Sequence, residues 1–227
     1  MLARPSKRIT LAHRETAILI DGFLRSGNTF SVAAFRVANG PELHVARHLH
    51  GAPHFLRAVR LGVPALLLIR EPADAVSSYL VRRPTLTPND ALKEYVDLYR
   101  TVWKVRDGIV VALFGQVVDD FGSVVERVNQ RYGTSFVPYD ASPANQAAAF
   151  TLVEEMNRLE CRGEVVETHV GRPSTQREQR KREIQAMMLR PRTQTLLARA
   201  NELFAAYVAL ASTVPSEPHT TTRGEPT

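Results

Sequence analysis

The chain has a single cysteine, Cys161, in 227 residues, so an internal disulfide is excluded and a reducing compartment fits. No hydrophobic run approaches the roughly 20 residues of a membrane span. The basic opening MLARPSKRITLAHRE lacks the apolar core of a signal peptide, which points to a cytoplasmic protein with no transmembrane segment. Aromatic residues make up 7% of the chain and form no single-strand-binding platform, and no zinc-knuckle spacing occurs. No fixed period suggests repeats. What the chain does have is positive charge. A formal +6 and a pI near 9.8 suit a polyanionic ligand, and because the arginines are spread over several segments rather than stacked on one helix, nucleic acid is not expected as the partner. At 44% hydrophobic content, residues 1–211 can bury one core as a single domain, while 212–227 carries no apolar period and reads as a disordered tail.

Apolar runs alternate with helical patterns, as in an α/β fold of three layers with a central parallel sheet flanked by helices. Strands are expected at 17–21, about 43–48, 64–69 and 109–114. Helices are expected at about 28–38, 52–61, 72–82, 89–106, 119–132, 145–160, 176–189 and 193–211. The runs AILID, up to its final aspartate, and PALLLI are continuously apolar, as buried parallel strands are.

The first of these strands runs straight into a glycine-rich turn. Gly22, Gly27 and Thr29 match G-x-x-x-x-G-K-S/T, with Asn28 in place of the lysine that neutralises triphosphates. What remains is a loop whose backbone N–H groups face an anion at a helix N-terminus, with a cation, Arg25, at its tip. Arg25, Ser26, Gly27, Asn28, Thr29 and Phe30 fit K/R-S-G-T/N-T/S-W/F position by position. A second element, ALLLIREPADAVSSYL, ends a strand on Arg70 and places Ser78 eight residues later. Together the two motifs resemble the P-loop sulfotransferases that use 3′-phosphoadenosine 5′-phosphosulfate (PAPS), of which this chain would be a divergent member.

The resemblance implies a transfer of the sulfuryl group from PAPS to a hydroxyl of a small-molecule, lipid or carbohydrate acceptor, with no metal. It implies that the loop from Gly22 to Thr29 holds the phosphosulfate, Arg25 stabilises the leaving phosphate, Phe30 lies on the adenine, and Arg70 with Ser78 fixes the 3′-phosphate. Those residue types suit two separated anionic ends, one at a helix N-terminus and one at a fixed arginine. Near the C-terminus, GRPSTQREQRKRE resembles the family's late basic loop, with Arg172 and Arg177 as the residues over the 3′-phosphate. Thr175 and Glu178 have capping-box spacing, which predicts a helix starting after Thr175. The Tyr-Glu pair of the family is replaced by Phe114 and Gly115.

A hydroxyl acceptor needs a base. His44, His48, His50 and His54 fall within eleven residues, and strand alternation would put the first three on one face. Arg47-His48-Leu49-His50 resembles the x-H-L-x core of the family's K-x-H-L-P segment, which makes His48 the expected base. Glu42, the one acid between Thr29 and Arg70, is the second choice. The i, i+4 histidine pairs would suit zinc on a helix, but a strand ending near Gly51 breaks both pairs, so no metal is expected. Two other readings remain open: a degenerate P-loop kinase of nucleotides or small molecules, and a nucleotide-binding protein without catalysis.

Overall fold

The computed structural model describes residues 10–160 and 175–212, with the backbone alone at 160 and 175–177. Cys161, Arg172, the side chain of Arg177 and the tail beyond Ser212 lie outside the described residues. Four parallel strands, β1 (Ile18–Gly22), β2 (Val45–Ala46), β3 (Ala65–Ile69) and β4 (Val110–Leu113), pair in the order β2-β1-β3-β4.

Strand alternation divides the core into two. Leu19, Leu67, Ile69 and Val111 face a layer built from α2 (Ala52–Leu61), α3 (Pro72–Arg82), α4 (Pro88–Val102), α8 (Thr175–Met188) and α9 (Pro191–Ser212). Ile18, Ile20, Leu66, Leu68 and Ala112 face α1 (Asn28–Asn39), α5 (Phe114–Asp119), α6 (Phe121–Tyr132) and α7 (Pro143–Glu160). The result is the expected three-layer α/β architecture. Both faces of the central strands are fully covered, which explains why they read as unbroken apolar runs rather than as alternating ones.

Local chemistry sets the helix ends. Pro72 and Pro88 occupy first-turn positions, where a missing N–H costs nothing, and Thr87 with Asp90 closes a capping box on α4. Glu71 caps α3 by accepting from the Asp74 N–H at 2.9 Å. No described helix is long and apolar enough to cross a membrane.

Three expectations need correction. The strand foreseen at 43–48 shrinks to Val45–Ala46, because His48 and His50 take left-handed backbone angles that end it. His44, His48 and His50 therefore do not share one strand face. The helix foreseen at 89–106 ends at Val102 and continues as a 3-10 turn, Trp103–Gly108. The last residue assigned to the strand at 109–114, Phe114, instead opens α5.

The chain leaves β1 toward β2 on one side, and β3 then returns to pair on the other. This is a switch point at the carboxyl ends of β1 and β3, the place where open parallel sheets bind ligands. Gly22 closes β1 there, and Arg70 follows β3 directly.

Candidate functional site

Gly22 is a packing requirement. It pairs with Leu68, and a Cβ on it would lie 2.1 Å from the Leu68 carbonyl oxygen. The loop that follows is pinned from below by α4: the Phe23 N–H donates to the Tyr99 hydroxyl at 3.2 Å, and that hydroxyl donates to the Leu68 oxygen at 2.8 Å. Tyr95 donates to the Arg70 carbonyl at 2.8 Å. One helix thus fixes the ends of both strands that carry the motifs.

Within the loop, Asn28 is a brace. Its Nδ2 donates to the Phe23 carbonyl at 2.9 Å, so the amide at the lysine position ties the loop closed. Gly27 is left-handed (φ 91°) and gives α1 no side-chain cap, which leaves the first-turn N–H groups of a 12-residue helix facing outward. A Cβ on Gly27 would lie 3.3 Å from Val117 Cγ1 of α5, a tight approach, and in ordinary contact with Phe114.

Arg25, itself left-handed at φ 70°, donates from Nε to Ser78 Oγ at 3.0 Å. Arg70 donates to the Arg25 carbonyl at 3.3 Å, pairs with Asp74 at 3.3 Å, and stacks on the Phe114 ring with its guanidinium carbon 4.2 Å from the centroid. Its buried Nε has no hydrogen-bond partner among the described residues. Arg25, Arg70 and Ser78 therefore form one joined group, although 45 or more residues separate Arg25 from the other two. Ser77, the neighbour, turns back onto its own helix and donates to the Asp74 carbonyl.

Arg25 and Arg70 wall a cavity of about 670 Å³, whereas Ser78 is buried behind Arg25 and does not line it. Arg25, Gly27, Asn28, Thr29, Phe30, His48 and Arg70 all line it, whereas Ser26 is fully buried beneath the loop. Glu42 is exposed and does not line the cavity. His44 is also elsewhere, hydrogen-bonded to Thr16 and His13, and burial beside His13 lowers its pKa. Sequence reasoning did not single out Arg82, Tyr139, Phe150 or Asn157, which complete the wall. Phe30 meets Tyr139 edge-on and Phe150 at a tilt, with centroids 6.2 and 5.9 Å away, so one side of the cavity is aromatic and the loop side cationic. Tyr139 is buried, and its hydroxyl has no partner among the described residues.

The largest surprise is Asp21, wholly buried at the end of β1. Its Oδ2 accepts from the backbone N–H groups of Leu49 and His50 and from His54 Nδ1, each at 3.0 Å. Its Oδ1 accepts from the Gly22 N–H and from His50 Nδ1, also at 3.0 Å. Burial alone would raise this carboxyl's pKa, but the hydrogen bonds from His50 and His54 outweigh it and hold Asp21 well below the usual carboxylate range. A signal was available: one acid at the end of an unbroken apolar strand needs buried partners, and histidines were close at hand. Among the described residues, no three His, Cys, Asp or Glu side chains are grouped so as to hold a metal.

Neither a family model nor a curated protein matches the chain. Among solved structures, mouse sulfotransferase SULT7A1 complexed with PAP, the 3′,5′-bisphosphate of adenosine, is similar to it. That match has 11% identity and a TM-score of 0.43, and covers 87% of this chain and 91% of that one.

Proposed function

We propose that this protein is a transferase that moves a sulfuryl group from PAPS to a hydroxyl acceptor. One observation carries the reading: an uncapped helix N-terminus and two arginines, Arg25 and Arg70, converge on one cavity from motifs far apart in sequence. Arg70 lines the cavity, and a guanidinium is suited to a phosphate oxygen. The phosphosulfate would lie against the N–H groups of Asn28 and Thr29, and the 3′-phosphate against Arg70 and Ser78. Phe30, next to Tyr139 and Phe150, offers a face for the adenine. Arg25 stands where charge develops on the leaving phosphate, the position at which a fixed cation lowers the barrier most. His48, the base that the motif suggests, and His50 both line the cavity and can take the acceptor's proton. Arg172 and Arg177 are proposed to close over the 3′-phosphate. A kinase reading is less well supported, because the amide of Asn28 is committed to the Phe23 carbonyl and supplies no cation to a triphosphate.

Calorimetric titration with PAP, beside ATP plus magnesium, tests this. Tight PAP binding that Arg70→Ala weakens by about 2 kcal/mol, the scale of a lost charge-assisted hydrogen bond, is the expected result. Preference for ATP with magnesium, or no PAP binding, would sink the proposal.

A further inference from the structure

We infer that the proton acceptor of this site is His50, held in one tautomer by Asp21, with His54 as a positioning residue behind it. The inference rests on the sulfuryl-transfer reading above and assigns the base within it.

The argument begins with a proton. His50 Nδ1 lies 3.0 Å from Asp21 Oδ1 and 2.9 Å from the Gly22 carbonyl oxygen. A carbonyl oxygen only accepts, and Asp21, with its pKa well below the usual range, is ionised and only accepts as well. Nδ1 must therefore carry hydrogen in both charge states of the ring. Nε2 is left as the atom that can gain or lose a proton, and it holds a lone pair while the ring is neutral. The side chain is 19% exposed and lines the cavity, within reach of a ligand bound there.

The backbone supports the same assignment. His50 has φ 53°, a conformation that L-residues rarely adopt, and Asp21 Oδ2 holds it there through the N–H groups of Leu49 and His50. His54, 1% exposed, donates its own Nδ1 hydrogen to the same oxygen and leaves the carboxylate no freedom to rotate. A carboxylate that fixes an imidazole's tautomer and stabilises its protonated form is the arrangement by which a histidine becomes an efficient base. His48 also lines the cavity, with its ring centroid 5.5 Å from that of His50.

The step balances without a further reactant. As the acceptor oxygen bonds to sulfur, its hydrogen passes to His50 Nε2. The bond between sulfur and the phosphate's bridging oxygen breaks, and its electron pair stays on that oxygen. The products are a sulfate ester, PAP and an imidazolium that returns its proton to solvent.

The test is run on the full chain. Long-range proton–nitrogen NMR of ring-labelled histidines, with His50→Gln assigning the signal, should show His50 protonated at Nδ1 and bare at Nε2 near neutral pH. An Nε2–H tautomer would overturn the inference. In parallel, PAP formation from PAPS is followed against a panel of phenols and alcohols. His50→Gln should lose about 100-fold or more, the range of general-base catalysis, while PAP binds within about threefold of wild type; His48→Gln should lose less. A greater loss in His48→Gln would overturn the assignment. If the wild type neither binds PAP nor consumes PAPS, the sulfuryl-transfer reading fails and takes the base role with it. The tautomer signal would then report only whether the Asp21–His50 pair exists.

Discussion

Replacing Asp21 with asparagine tests the structural core of the site through stability alone. The carboxylate accepts five hydrogen bonds, three at Oδ2 and two at Oδ1. An asparagine oriented to keep the three presents its NH₂ to the Gly22 N–H and to His50 Nδ1; the Nδ1–H keeps the Gly22 carbonyl at 2.9 Å, but the Gly22 N–H and the new NH₂ become two buried donors without an acceptor. At about 1–3 kcal/mol for each unsatisfied group, the loss comes to about 4 kcal/mol. With a urea slope of about 2 kcal/mol per molar, the unfolding midpoint should fall by about 2 M. The acid limb gives an independent check. Because folding depresses this pKa below 3.8, the ordinary aspartate value, its stabilisation is present above that pH and is lost as pH falls below it. Wild type should therefore weaken steeply in that window, and Asp21→Asn should show a shallower limb. A midpoint within about 0.5 M of wild type, together with parallel acid limbs, would refute the reasoning.

Two further substitutions probe the strand ends. Gly22→Ala places a Cβ 2.1 Å from a backbone oxygen in the middle of the sheet, where no flexible side chain can give way. Overpacking costs about 1–3 kcal/mol even where a core can adjust, so soluble expression should collapse, and a melting curve like that of wild type would show the strand spacing to be wrong. Tyr99→Phe removes the hydroxyl that joins Phe23 N–H to the Leu68 carbonyl, at about 1–3 kcal/mol. At roughly 2–4 °C per kcal/mol for a chain of this size, the melting temperature should fall by about 6 °C. An unchanged melt would mean that the hydroxyl does not brace the loop.

Much of the fold could be read in advance because the signals were local. Residues 18–20 and Ala65–Ile69 are unbroken apolar runs bounded by glycine, proline and charge, α2 carries Pro53 in its first turn and ends before Gly62, and α3 begins at Pro72. The loop geometry around Arg25 to Phe30 followed from two glycines and a helix start. What could not be read were effects that depend on distant partners. Leu43 to His48 alternates plausibly as a strand, and nothing local says that Asp21, 28 residues from Leu49, will draw its N–H groups out of extended geometry. Phe114 looked like the end of a strand, yet it opens a helix and carries the Arg70 guanidinium on its ring. Phe150 belongs to the aromatic side because α7 packs across α1, and Tyr139 comes from the loop before α7; neither contact has a sequence signature.

The distribution of backbone strain bears on function. Among the described residues, three that are not glycine have positive φ, Arg25 at 70°, His48 at 63° and His50 at 53°, and all three line the same cavity. A turn needed only to reverse the chain would use glycine at these positions at no steric cost. Side chains kept there cost of order 1–3 kcal/mol each, and such cost persists where the surroundings over-determine the conformation. The surroundings do so for Arg25 through Ser78 and the Arg70 hydrogen bond to its carbonyl, and for His50 through Asp21. A cation and an imidazole are thus held against their own backbone preference on the wall of one cavity, as the proposed transfer would require.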